Sequence, residues 1–481
     1  MNSGKALLTM TAIAGLAVTA ASGLVVSNSA KTRPANLTAE SLQYGSMVMP
    51  GCVVFAPDTT PEQMVKGYKR LLEMYGVGLE HLVGGAGLEF NPTFTRWPGA
   101  TNTPVNLTYS FPPDGIQTGN GPNTLHQTLT NTVGSEALWK SRFVQGLNEW
   151  AEITGNTYTE VNDDGAGWSG SPGGVSRGDL RIVSAPIDGG SGTLAFNFFP
   201  TNGDMLLDSA ENWGSGATDL FLRNVITHEH GHGLGLSHTC PSQGNKIMEP
   251  AINLNFEGPQ RDDRLAAQFL YGDAYEPNNT IGAAEDLDAL GLQSDTLLQL
   301  DFLSLQNTSD GDVFKFEAPS GSVINSAQAA PQGATYLTGP QNANGSCSSG
   351  SFWDSLRQLD VVLEVLNPSG VVIASSDTGG LGGVEEITNF ALSAGGTHYL
   401  RVRSTGAGQS STPIQEYRLR FNVTLQSISG DLNGDGQVNG TDLAIMLSVW
   451  GTNGSGTGAD LNGDGIVDGA DLAALLAGWT G

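Results

Sequence analysis

Cysteine is scarce in this 481-residue chain, with Cys52, Cys240 and Cys347 as the whole complement. Three thiols make no disulfide framework for a chain of this size, so stability must come mainly from apolar cores. An odd number leaves one thiol free or paired to another molecule. Cys52 with Cys240 is one bridge the count allows, and sequence leaves the connectivity open. Basic residues are also few, 21 Lys and Arg against 48 Asp and Glu, for a formal net charge of -27. That balance argues against nucleic acid or an anionic membrane surface as a partner. Beyond the first thirty residues no apolar run approaches the roughly twenty needed to cross a bilayer, so no transmembrane segment is expected in the mature chain.

Glycine and acid are what the chain has in quantity. Its 66 glycines point to many turns and loop-rich β structure. The acid excess suits calcium, a hard cation that takes oxygen ligands. The length calls for several domains. Lys5, the apolar run Ala6 to Ala21 and the small residues Ser27 to Ala30 follow the pattern of a secretory signal peptide, assigned to residues 1–30. Residues 31–91 read as a propeptide or N-terminal extension with one helix, Thr60 to Met74. Residues 92–272 alternate strands and helices. Helices are expected at Ser135–Thr154, at Thr218–Gly233 (capped by Thr218 or Asp219) and at Arg261–Tyr271. Strands are expected at Val175–Ala185 and Thr193–Phe199. Residues 273–426 show short alternating runs such as Val361-Val-Leu-Glu-Val-Leu, the pattern of an all-β sandwich. Residues 427–481 contain a repeat, Asp431-Leu-Asn-Gly-Asp-Gly recurring as Asp460-Leu-Asn-Gly-Asp-Gly.

The chemistry concentrates in His228-Glu-His-Gly-His-Gly-Leu-Gly-Leu-Ser-His. On a helix, His228 and His232 project from one face and can share a metal. Gly235 lets the chain leave the helix sharply and bring His238 round as a third ligand, while His230 points off the ligand face. Three neutral imidazoles leave one position open, as in catalytic rather than structural zinc. Zinc lowers the pKa of its water from about 16 towards about 7 and polarises a carbonyl, and Glu229 is placed to act as general base. A satisfied core histidine is the ordinary reading of a single His, but four of the seven histidines fall in this one string.

This string, with Lys246-Ile-Met-Glu-Pro, resembles the metzincins, and within them the matrixin peptidases. The similarity extends to Arg96-Trp-Pro, Leu107-Thr-Tyr-Ser-Phe and the stretch Gly258 to Gly272. It implies an α+β zinc endopeptidase domain with Met248 in a Met-turn beneath the metal and a specificity loop around Ala251 to Glu257. Matrixins often hold a second, structural zinc through histidines; the matching positions are Phe196 and Leu206, so that site is expected to be lost. A family calcium site is expected from Asp208 and Glu211, with the Asp188 loop opposite. A matrixin-like cysteine switch at Cys52 would lack the family's flanking residues, and a disulfide or an inert thiol is the competing reading.

The β segment resembles the bacterial pre-peptidase C-terminal domain through Tyr275-Glu-Pro-Asn-Asn, Gly311-Asp-Val-Phe-Lys-Phe and Gly395-Gly-Thr-His-Tyr-Leu-Arg-Val, and reads as a spacer or weak binding module. Each tail repeat presents an EF-hand-like loop. The first offers Asp431, Asn433, Asp435, the Gln437 carbonyl, Asn439 and Asp442; the second Asp460, Asn462, Asp464, the Ile466 carbonyl, Asp468 and Asp471. Asp at the last position matches the dockerin type I repeat, which this small helical tail resembles. That resemblance implies calcium and a cohesin-like partner. Taken together the chain reads as an exported, extracellular zinc endopeptidase acting on proteins or peptides. The competing class is a non-catalytic, calcium-stabilised surface or matrix binding protein on a peptidase scaffold. Glu229 favours the enzyme, since a binding relic has no use for a general base.

Overall fold

The computed structural model describes residues 50–57, 59–75, 95–168, 177–215, 218–342, 345–408, 413–426, 428–433 and 437–480. The signal-peptide assignment at 1–30, and Asp435 with Gly436, fall outside the described residues.

The first half runs in the order β1 (Pro50–Phe55), α1 (Pro61–Tyr75), β2 (Asn106–Ser110), β3 (Gln117–Thr118), β4 (Gly121–Pro122), α2 (Leu125–Thr132), α3 (Glu136–Thr154), β5 (Thr157–Glu160), β6 (Leu180–Ala185), β7 (Thr193–Phe198), β8 (Met205–Asp208), α4 (Leu220–Leu234), β9 (Thr239–Cys240) and α5 (Arg261–Tyr271). One sheet has the order β1-β7-β8-β6-β2-β5. β5, β2, β6 and β8 are parallel, while β7 is antiparallel to β8 and β1 antiparallel to β7. Every residue of β6, β7 and β8 is buried, because each face of the sheet meets apolar side chains. On one face are α3 and α4 with Trp139, Phe143, Leu147, Trp150, Val225 and Ile226. On the other, Val183, Phe196, Leu206 and Trp168 enclose Val53 and Phe55 of β1.

Helix α3 begins where the sequence places it, with the Ser135 hydroxyl accepting from Leu138 N–H. Helix α4 starts at Leu220, two residues later than expected. Asp219 caps nothing with its side chain; it sits at φ 52° and its carboxylate accepts instead from Arg142 Nε at 3.0 Å. The strand expected from Val175 begins, within the described residues, at Leu180.

The second half holds a four-stranded sheet, in the order Leu298–Leu305, Gln415–Thr424, Val323–Pro331 and Glu385–Ala391. It also holds a five-stranded sheet, in the order Glu285–Asp286, Gly311–Ala318, Gly396–Ala407, Leu359–Leu366 and Val372–Ser376. Side chains of both sheets, among them Leu303, Phe316, Val361, Leu400 and Phe421, share one core. Several contacts fasten this half to the first, three of them as follows. Glu416, 1 % exposed, receives both Arg261 and Arg264 from α5. Strand Thr335–Pro340 pairs with β9. Cys347 is bonded to Cys240 across 107 residues. The bridge entertained between Cys52 and Cys240 is therefore not formed. Strand pairing at β9 brings the Cys347 loop, rather than β1, beside Cys240.

The tail carries α6 (Gly440–Ser448) and α7 (Gly469–Ala477) around a core of Val438, Met446, Ala459, Val467 and Leu475. No helix among the described residues is long and apolar enough to cross a membrane.

Candidate metal centre

Helix α4 is an interior helix, buried almost throughout from Asn224 to Leu234, so its polar side chains need specific partners. The Trp150 indole N–H donates to Thr227 O at 2.9 Å and the Trp97 indole N–H to Gly233 O at 2.7 Å, fixing both ends of the histidine turn. Gly231 admits the Met-turn: a Cβ there would stand 2.4 Å from Met248 Sδ. Gly235 closes the helix at φ 102°, a left-handed conformation that costs glycine least, and the chain doubles back towards His238. Asp263 holds the Met-turn from below, accepting from Ile247 N–H at 2.8 Å and Met248 N–H at 3.1 Å.

His228, His232 and His238 are fully buried and converge. His228 Nδ1 lies 2.6 Å from Ile247 O, and His232 Nδ1 lies 2.6 Å from Leu236 O. A carbonyl oxygen only accepts, so both Nδ1 atoms carry hydrogen and both Nε2 atoms present lone pairs. His238 Nδ1 meets Gln341 Oε1 at 2.8 Å, and the Gln341 amide is oriented by its Nε2 donating to Gly345 O at 2.7 Å. The Nε2 atoms of His232 and His238 then lie 3.1 and 3.2 Å from that of His228, with no proton to share. Lone pairs so opposed require a cation. Tetrahedral zinc at about 2.0–2.1 Å from each nitrogen puts the nitrogens about 3.3 Å apart, and the three histidines fit it. Burial, then neighbouring imidazoles, hold His228 and His232 well below the usual histidine range. Burial takes His238 down to about 4 against the opposing Gln341 bond. All three are thus neutral ligands at neutral pH.

Glu229 is completely buried beside them, and its Oε2 has no hydrogen-bond partner. Burial pushes its carboxyl well above the ordinary range, opposed by the Val54 N–H that donates to Oε1 at 3.2 Å. A dication alongside favours the ionised form. His230, off the ligand face, meets the Tyr158 hydroxyl at 2.8 Å. Phe196 and Leu206, the positions at which a second zinc is expected to be lost, are register partners packed in the apolar cluster.

At the positions expected to hold calcium in this half, the carboxylates of Asp208 and Glu211 accept from backbone N–H groups of the Asp188 loop. Asp208 Oδ2 accepts from Asp188 and Gly189 N–H, both at 3.1 Å, and Glu211 Oε1 accepts from Ser191 N–H at 2.6 Å. In the tail, Asp442 Oδ1 accepts from Leu432 and Asn433 N–H, and Asp471 Oδ1 accepts from Leu461 and Asn462 N–H. Asp460 receives Gly463, Asp464 and Gly465 N–H. Asp442 with Asn439 and Asp471 with Asp468 form reciprocal caps on α6 and α7. Among the described residues, each loop thus folds back onto its last aspartate.

Two features escaped the sequence. Gln341 reaches the third histidine from 103 residues away, with no motif to signal it. Glu276, Asp310 and Asp312 are buried together in the second half, with carboxylate oxygens within 4.8 Å of one another. The Tyr275-Glu-Pro-Asn-Asn and Gly311-Asp-Val-Phe strings carry Glu276 and Asp312, and Asp310 stands one residue before the second, but as domain markers these strings give no sign of an acidic cluster.

Three imidazoles with a neighbouring carboxylate and a Met-turn on this frame define a three-histidine zinc centre. The family model for matrixin matches residues 125–272, and that for the dockerin type I domain matches residues 429–477. Stromelysin-3 of Rattus norvegicus is 33% identical over 140 residues, 27% of this chain and 26% of the relative. Metalloendoproteinase 2-MMP of Arabidopsis thaliana is 33% identical over 201 residues, 37% of this chain and 45% of its own length. Interstitial collagenase of Bos taurus is 34% identical over 137 residues, 28% of each chain. The chain thus spans less than half the length of these relatives. Residues 125–272 are a matrixin domain and 429–477 a dockerin type I domain; zinc is the metal of the first and calcium of the second.

Proposed function

We propose that the protein is an exported zinc endopeptidase that hydrolyses peptide bonds of extracellular proteins. The observation that carries this reading is the convergence of the three Nε2 atoms beside a buried glutamate whose carboxylate faces a peptide N–H. His228, His232 and His238 hold the zinc, which when bound activates water and polarises the scissile carbonyl. Glu229 takes the proton from the attacking water and passes it to the departing amine. The buried pocket excludes bulk water, and the backbone carbonyls and Gln341 keep each imidazole in the ligating tautomer.

Calcium at Asp188, Asp208 and Glu211 would brace the loop after β6. In the tail it would occupy the loops ligated by Asp431, Asn433, Asp435, Gln437, Asn439 and Asp442, and by Asp460, Asn462, Asp464, Ile466, Asp468 and Asp471. Leu447 and Trp450 in the first repeat, and Leu476 and Trp479 at matching positions in the second, are exposed. That duplicated apolar face suits docking onto a cohesin-like module. Neither family match reaches residues 273–428, whose likeness to the pre-peptidase C-terminal domain rests on its motifs and its two sheets. The test is zinc content and casein digestion by the full chain, with Glu229→Ala as control. A zinc-loaded protein that digests nothing would favour the binding-protein reading instead.

A further inference from the structure

The third zinc ligand is supported differently from the first two. His228 and His232 are set by carbonyls of their own half, Ile247 O and Leu236 O. His238 meets Gln341, which sits at the base of a short hairpin in the second half. Across that hairpin Gln341 and Cys347 form an isolated antiparallel β-bridge, and Asn342 N–H donates to Ser346 O at 2.8 Å. The Gln341 Nε2 donates to Gly345 O on the far arm at 2.7 Å. Cys347 ends that arm and is bonded to Cys240, two residues after His238. The support therefore runs in a ring, from His238 along the chain to Cys240, through the disulfide to Cys347, across to Gln341 and back to the imidazole.

What the disulfide holds in place is small. A hairpin this short has no core of its own and is marginal in water. The two halves stay joined without it, because Thr335–Pro340 pairs with β9 and Glu416 receives Arg261 and Arg264. Gly350 also lies so close to Pro241 that a Cβ there would stand 2.7 Å from Pro241 Cδ. Opening the disulfide thus frees the arm at 345–347, and with it the carbonyl that aims the Gln341 amide. The disulfide is also within reach of solvent. Cys240 is fully buried, but Cys347 is partly exposed, and its sulfur meets the Ser242 hydroxyl at 3.3 Å on the surface.

We propose that the Cys240–Cys347 disulfide is a thiol–disulfide exchange site, through which a low-molecular-weight dithiol sets the zinc affinity of the centre. One thiolate of the dithiol attacks the Cys347 sulfur, the S–S bond breaks, and Cys240 leaves as a thiolate that takes up a proton. The second thiolate attacks the dithiol's own sulfur in the mixed disulfide and expels the Cys347 thiolate, towards which the Ser242 hydroxyl donates. The dithiol is oxidised to a cyclic disulfide, and its two protons end on the two cysteines. In the reduced chain Gln341 no longer fixes the His238 imidazole, and the metal is held more weakly. The reverse exchange, with the cyclic disulfide as oxidant, restores the ring and the affinity.

The test compares the full chain, metal-free, before and after treatment with dithiothreitol. The dithiol is removed by anaerobic desalting before zinc is added, because thiolates bind zinc themselves. Thiol titration in denaturant should find two more thiols in the treated chain, those of Cys240 and Cys347. Competition against a chelator of known affinity should show zinc held about tenfold more weakly, the lower end of the usual cost of losing an outer partner. Cys240→Ser with Cys347→Ser should match the treated chain with no reductant present. Gln341→Leu decides the route: that variant should bind weakly from the start, and reduction should cost it about twofold or less. Equal affinity before and after reduction would overturn the proposal. So would a disulfide that dithiothreitol leaves intact in the folded chain. A full tenfold loss on reducing the Gln341→Leu chain would overturn it too, since the effect would then bypass this residue. The readout is metal affinity, so each of these results leaves the peptidase reading standing.

Discussion

The side-chain oxygen of Gln341 lies 2.8 Å from Nδ1 of His238, so a residue of the second half sets the orientation of the third zinc ligand in the first. The contact is not isolated. Two residues past the histidine, Cys240 is bonded to Cys347, and between them β9 pairs with Thr335–Pro340. The segment read from sequence as a spacer is thus built into the support of the metal centre.

Replacing Gln341 with Leu should weaken zinc binding about 10–100-fold, the usual consequence of removing an outer partner from a ligating imidazole. Competition against a chelator of known affinity measures it. Unchanged affinity would mean that Gly235 and the turn alone hold His238 in place.

Removing the general base should separate binding from turnover. Glu229→Ala is expected to retain one zinc while proteolysis falls by several orders of magnitude, because only the proton transfer is lost. His228→Ala, His232→Ala or His238→Ala should lose the metal itself. Two zinc equivalents in the unaltered protein would contradict the apolar filling at Phe196 and Leu206.

What could be read from the sequence was what is local. The spacing of His228, Glu229, His232 and His238, the Gly235 exit and the two tail loops are all short-range patterns, and helix periodicity located α3 and α5 to within a residue. What escaped depends on pairing between distant segments. Gln341, the Cys240–Cys347 bridge and the insertion of β1 beside β7 are set by tertiary register, which leaves no periodic trace. Asp219 shows the same override on a small scale. A good cap residue stands at the right place, but an ion pair with Arg142 takes its carboxylate.

The buried acids of the second half predict an inverted pH dependence. Burial, then the charges of Asp310 and Asp273, push Glu276 up to about 8, and burial pushes Asp273 up to about 7. A carboxyl whose folded pKa exceeds its unfolded value stabilises the fold only while both states are protonated. Stability is therefore lost as pH rises from about 4.5 in the unfolded chain towards about 8 in the folded one. Glu276→Gln should be nearly neutral at pH 5 and raise the melting temperature by a few degrees at pH 8. Thermal scans at both values, with chelator throughout so that the tail loops contribute equally, check it; equal shifts at both would reject the linkage.

The tail supports the most separable prediction. Among the described residues its core holds five fully buried apolar side chains, too few to stabilise some fifty residues alone. Asp431, Asp442, Asp460, Asp464, Asp468 and Asp471 crowd two short loops with negative charge. Burial opposes ionisation at Asp442, but the N–H groups of Asn439, Leu432 and Asn433 outweigh it and hold the carboxyl below the usual range, so the charge persists at neutral pH. Calcium removes that repulsion, and its binding free energy appears as folding free energy. Residues 428–481 made alone should be mostly disordered in chelator and helical in millimolar calcium by circular dichroism. Asp431→Ala with Asp460→Ala should abolish the transition while leaving proteolysis by the full chain intact. A fragment equally helical in both conditions would show that the loops fold as simple turns, without need of the ion.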